Sequence, residues 1–215
     1  MHAYRAALLR FATDRAPAHS ALYEQDGLLL VGPDARGQQL VQAVGPYAQL
    51  AAQYPQVPCE DLRGRLIAPG FVDLHNHYAQ TDVIASPAEG LLPWLEHYTF
   101  PEEERFCDPA YCAQAATFFI AELLRNGVTS ALSFASAHRT SVDAVFEAAR
   151  QQQLRLITGL CLMDRHAPPG VRNDTEQSLL DSEALIHKWH GVDRLGYAIT
   201  PRFAPSCSDA QLRGA

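Results

Sequence analysis

Beyond residue 65 the chain alternates short apolar runs with longer stretches in which apolar side chains recur every three or four positions. Short continuous runs suit strands, and the three-to-four spacing suits helices packed by one face. Strand one is predicted at Leu66–His75, followed by a long mixed segment, Tyr78–Cys107. Asp108-Pro109 supplies an N-cap and a proline at the first helical position. The helix it opens carries Ala116, Phe119, Ile120, Leu123 and Leu124 on one side and stops at Asn126-Gly127. VTSALSFA is strand two. A second helix is predicted from about Thr140-Ser141, with Val142, Val145, Phe146 and Ala149 facing inward. LRLITGLCLM is strand three, Thr175 to His190 a third helix, and RLGYAIT strand four, closed by Pro201. SCSDAQL then opens a fourth helix, with the capping-box spacing assigned to Ser206 and Asp209.

The first sixty-five residues have a different rhythm. In ALYEQDGLLLVGPDARGQQL an apolar run, Leu28 to Val31, lies between Asp26-Gly27 and Gly32-Pro33, both read as turns, so the segment is expected to be β structure. Two parts are therefore predicted, 1–65 and 66–215. In the second, strand–helix alternation and almost wholly apolar strands such as LITGLCLM argue for an α/β fold with a parallel sheet and right-handed crossovers. A complete eight-stranded barrel takes roughly 250 residues. Residues 66–215 hold four β/α units, so a partial barrel is expected. Its end strands would be unpaired, and the chain alone is expected to be unstable or to associate with a partner or itself.

Composition narrows the partners. A formal net charge of −7 disfavours nucleic acid and anionic membranes, which select basic patches. No apolar run reaches the roughly 18 residues of a membrane span. The opening MHAYRAALLRFATDR is too broken by arginine to read as a signal peptide. Five cysteines form no CxxC pair and suit a reducing compartment, so a cytoplasmic location is expected.

The chemistry concentrates in PGFVDLHNH at 69–77. Residues i and i+2 of a strand share a face, so His75 and His77 project together, and paired neutral imidazoles suit zinc. Asp73 lies on the same face and reads as an orienting group. Ligands of parallel α/β folds bind at the carboxyl ends of the strands. Ser136-Ala137-His138, Asp164-Arg165-His166 and Pro201-Arg202-Phe203 stand at three further such ends. Blander readings suit the other candidates: solvated loop histidines at 138 and 166, a helix terminus at His187 and His190, small buried or semi-buried thiols at Cys107 and Cys112, and a solvated face for Glu102–Glu104. HExxH, GxSxG, a Walker loop and the HxE…PCxxC deaminase signature are absent from the sequence.

DLRGRLIAPGFVDLHNH and HNHYAQ resemble the zinc-binding opening of the amidohydrolase superfamily. The N-terminal β segment is similar to part of that superfamily's small β-sandwich domain. HxHxxQTDxIAS, LLPWLEHYTFPEEERF, FFIAELLRNGVTSAL, MDR, DSEALIHKWHG and YAITPRFAPS resemble the guanine deaminase family within it. The resemblance runs from Ile67 to Leu212 and implies the first half of a TIM-like (β/α)8 barrel. It also implies one zinc ion, a homodimer in the complete enzyme, and hydrolysis of guanine to xanthine and ammonia. It assigns His75 and His77 to the metal, Gln80 to the purine edge, and Arg202 with Phe203 to holding and stacking the base. An amide offers donor and acceptor together, a guanidinium a planar pair of donors, and a phenyl ring a flat apolar surface. Two-metal members use a lysine at the end of strand four. Lys188, the only lysine, lies in the preceding helix, which points to a single metal. The proton-transfer groups and further ligands are expected on strands five to eight, outside this sequence. Two alternatives stand beside this reading: an inactive half-barrel remnant, and a relative acting on another aminated heterocycle.

Overall fold

The computed structural model describes residues 1–12, 16 and 19–215. They form two compact units, Met1–Pro69 and Gly70–Ala215. The first is a four-stranded sheet of β1 (His2–Phe11), β2 (Ala21–Pro33), β3 (Gln39–Pro46) and β4 (Cys59–Ile67), in the order β3-β2-β1-β4. β1 and β4 run parallel, and the other pairs are antiparallel. Ala3, Leu28 and Leu30 are its buried centre, packed under Tyr47 and Leu50 of the short helix α1 (Tyr47–Leu50). Asp26-Gly27 is not a turn, because β2 runs straight through it. The pair marks an irregularity in β1 between Ala6 and Leu8, where a Cβ at Gly27 would stand 2.4 Å from the Leu8 side chain. Glycine is there for close approach rather than for chain reversal.

The second unit is built on four parallel strands. These are β5 (Phe71–His77), β6 (Val128–Phe134), β7 (Arg155–Thr158) and, after the two-residue β8 (Cys161–Leu162), β9 (Leu195–Tyr197), in the order β5-β6-β7-β9. Sequential neighbours in a parallel sheet with intervening helices give half of a (β/α)8 barrel. Strand one of the sequence reading divides in two. β4 ends at Ile67 and pairs with β1, whereas β5 begins after Pro69-Gly70, since proline has no amide to donate to a ladder. Strands three and four are likewise interrupted. Residues beyond β7 and β9 resume as β8 and β10 (Thr200–Pro201), which pair with each other. At the break a Cβ on Gly159 would lie 1.9 Å from the Ala198 carbonyl oxygen, so the two backbones cross there because residue 159 has no side chain.

The helices follow the apolar spacing. α2 (Leu91–Trp94) and α3 (Phe100–Glu104) belong to the segment between β5 and α4 (Pro109–Arg125), and α5 (Arg139–Gln151) and α6 (Thr175–Trp189) come later. Asp108 caps α4 by accepting from the Ala110 amide at 2.9 Å, and Gly127, at φ +79°, ends it. Asp174 caps α6. The cap of α7 (Asp209–Gly214) is Ser208, which accepts from the Gln211 amide, and not Ser206. Ser206 lies in the turn before it. Ala116 and Ile120 of α4, Val142, Val145, Phe146 and Ala149 of α5, Leu156 of β7 and Leu185 of α6 form one buried core. Burial of each large apolar side chain contributes about 1.5–3 kcal/mol.

Candidate functional site

β5 delivers its histidines as a period of two requires. The His75 and His77 rings lie 5.1 Å apart, edge to face, and both line one cleft of about 310 Å³. The Asp73 carboxylate accepts from the His75 backbone amide at 3.1 Å. His77 stacks on Phe134, the last residue of β6, with centroids 4.8 Å apart. Burial, and then the positive Arg202 and neighbouring His75, push the His77 imidazole down to about 4. It is a neutral ring near pH 7, the form that ligates metals.

Gln80, Arg202 and Phe203 line the same cleft with Leu91, Leu92, Trp94 and Leu95. The five residues singled out from the sequence are therefore together, although they come from the two ends of the second unit. Arg202 follows β10 and Gln80 follows β5. The group that joins them was missed. Glu103, read as part of a solvated run, is 1% exposed. It accepts from Gln80 Nε2 at 2.9 Å and from Arg202 Nη1 at 2.5 Å. Gln80 Nε2 also lies 3.3 Å from His77 Nδ1. Burial works against the Arg202 charge, but Glu103 outweighs it and the guanidinium is held above its ordinary value. Arg202 also stands over the Phe100 ring at 5.5 Å.

Glu102 is buried as well, bonded to Tyr111 and Arg105, and only Glu104 of the three faces solvent. A wide π turn, Leu95–Thr99, precedes α3. Pro101 lacks the amide that would continue the regular ladder, and the extra residue in the turn rotates the glutamates that follow.

The other two strand ends do different work. Asp164 binds Thr175 Oγ1 at 2.7 Å, the Ser208 amide at 2.6 Å and Ser208 Oγ at 2.5 Å, latching the starts of α6 and α7. His138 is held by Ser136, and neither His138 nor His166 lines the cleft. His190 Nδ1 accepts from the Tyr197 amide, whereas His187 bonds the Glu183 carbonyl, so they are no metal pair. Lys188 binds Asp143 on the helix exterior. Cys112 is buried, but Cys107 is exposed rather than semi-buried. Phe134 was also missed, though its place at the end of strand two, opposite His77 in the ladder, offered a signal.

Among the described residues no third His, Cys, Asp or Glu joins the two imidazoles in a metal-holding group. The pair fits a metal in donor chemistry, as two of the three protein ligands a catalytic zinc takes. No helix of the described residues is long and apolar enough to cross a membrane.

The amidohydrolase family model matches residues 66–215. The chain belongs to the amidohydrolase family. This amidohydrolase is 44% identical over 196 residues to the guanine deaminase of Escherichia coli (strain K12), a match covering 91% of this chain and 44% of that protein. The solved E. coli guanine deaminase superposes with a TM-score of 0.92 at 40% identity, over all of this chain and 50% of its own. A guanine deaminase from C. acetobutylicum with guanine bound in its active site gives 0.88 at 28% identity, over 99% of this chain and 49% of its own. This amidohydrolase thus spans about half the length of the relatives it matches.

Proposed function

We propose that the chain carries the metal-and-base-binding half of a guanine deaminase, a zinc-dependent aminohydrolase that converts guanine and water to xanthine and ammonia. The observation that carries this reading is the convergence of His75, His77, Gln80, Arg202 and Phe203 on one cleft, in a chain 44% identical to a guanine deaminase. His75 and His77 would hold one zinc ion with ligands from outside this cleft, and the bound metal supplies a water of pKa about 7. Arg202 donates to the O6 and N7 edge of guanine, the pairing guanidinium makes with that base elsewhere. Gln80 meets a polar edge of the purine, and Phe203 stacks on its face. The base is a small anion-free ligand, in keeping with a cleft that holds one buried arginine whose charge Glu103 already balances.

Zinc content by atomic emission, guanine binding, and ammonia release from guanine test the proposal on one preparation. Zinc with ammonia release supports it in full. Among the described residues no third ligand stands beside the two imidazoles, and a second reading is that the chain binds zinc and guanine without turnover. Absence of both zinc and guanine binding overturns the proposal.

A further inference from the structure

We infer that Glu103 is the positioning residue of this cleft. One buried carboxylate decides which way round Gln80 presents its amide and where the Arg202 guanidinium is aimed. The inference rests on the functional reading above and names the group that builds its specificity. Glu103 lies 23 residues from Gln80 and 99 from Arg202 in sequence, yet one oxygen engages each. Arg202, 6% exposed in its side chain, is desolvated, and a buried cation needs a bonded counter-charge. A carboxylate only accepts, so the nitrogen end of the Gln80 amide must face it. What Gln80 then has to offer a ligand is its carbonyl oxygen, an acceptor. Beside it stand the donors of Arg202 that Glu103 leaves over.

An acceptor next to a pair of donors reads a base edge that carries an N–H and, nearby, a carbonyl with a ring nitrogen. Guanine has this edge. Adenine has an amine where the carbonyl would be, which faces one Arg202 donor with another donor, and its N1 carries no hydrogen for the Gln80 oxygen. Glu103 itself touches neither metal nor base on this account, and acts through the two side chains it holds.

The test uses the intact protein and its Glu103→Gln variant, which keeps the shape but can donate as well as accept. Guanine titrations are followed by fluorescence, since Trp94 lines the cleft. Guanine should bind the variant on the order of tenfold or more weakly, with its preference over adenine reduced and its zinc content kept. In a Gln80→Ala background the same change should cost less than it does alone, because part of its effect passes through Gln80. Fully additive losses, or an unchanged guanine affinity, overturn the inference. If Glu103→Gln folds poorly, the Glu103→Gln/Arg202→Gln double variant removes the unpaired charge. Its Gln80 side-chain amide resonances in a ligand-free 15N spectrum should then move from the wild-type position. Unmoved resonances count against the inference. That spectrum also separates the two claims. A wild type that binds neither zinc nor guanine sinks the functional reading, while the amide signal still decides whether Glu103 holds Gln80.

Discussion

β5 and β7 are both short strands of one parallel sheet, and their surroundings differ sharply. Leu156 of β7 is wholly buried under Phe146 of α5, itself wholly buried. In β5, Phe71 is 69% exposed, Val72 62% and Leu74 71%. β6 and β7 are flanked on both sides, whereas β5 pairs among the described residues with β6 alone. Among the described residues, the strand that carries the histidines thus has the least apolar cover of the four in its sheet. Its residues are held by polar and aromatic ties instead, Asp73 to the His75 amide and Phe134 under His77, with Glu103 holding Gln80 in the turn that follows. Packing secures the scaffold, and a small polar network secures the chemistry.

This contrast can be broken by experiment. The largest effect belongs to the uncovered strand. On the proposed function, replacing His75 and His77 together by alanine should abolish zinc binding and reduce any ammonia release on the order of a thousandfold or more, while the melting transition of the metal-free protein barely moves. A collapse of the fold in that variant would mean β5 contributes to the core after all. Next comes the covered side, where Phe146→Ala should cost about 3–5 kcal/mol by denaturant titration.

A smaller effect concerns Asp164. Burial raises its carboxyl, but the hydrogen bonds from Ser208 and Thr175 outweigh this and hold it below its ordinary value. A lowered folded value means stability that is fully present above the unfolded carboxyl pKa, about 3.9, and lost as pH falls below it. Asp164→Asn should therefore flatten the acid limb of a stability–pH curve, and an unchanged limb would remove Asp164 from it. The smallest effect should be Leu74→Ala, within about 0.5 kcal/mol as at other exposed sites. A loss there comparable with that at Phe146 would erase the distinction between the strands.

Local signals in the sequence were read well where the cause is local. Asp108-Pro109, Asn126-Gly127 and the inward face of α5 depend on neighbours within a few residues, and so does the shared face of His75 and His77. Glu103 was not legible, because a run of three glutamates looks solvated until partners far along the chain neutralise one of them. Asp26-Gly27 misled for the same reason: its glycine answers to Leu8 on another strand rather than to its own neighbours. The four strand ends were expected to serve one rim. In the fold, Asp164 is drawn into a latch by Ser208, forty-four residues away.

The π turn at Leu95–Thr99 has a practical bearing on protein engineering. Each residue of a helix advances the azimuth by roughly 100°, so a one-codon deletion there would swing residue 103 out of register with its two clients. Side-chain libraries across this stretch should be well tolerated, whereas libraries that vary loop length should yield few functional clones.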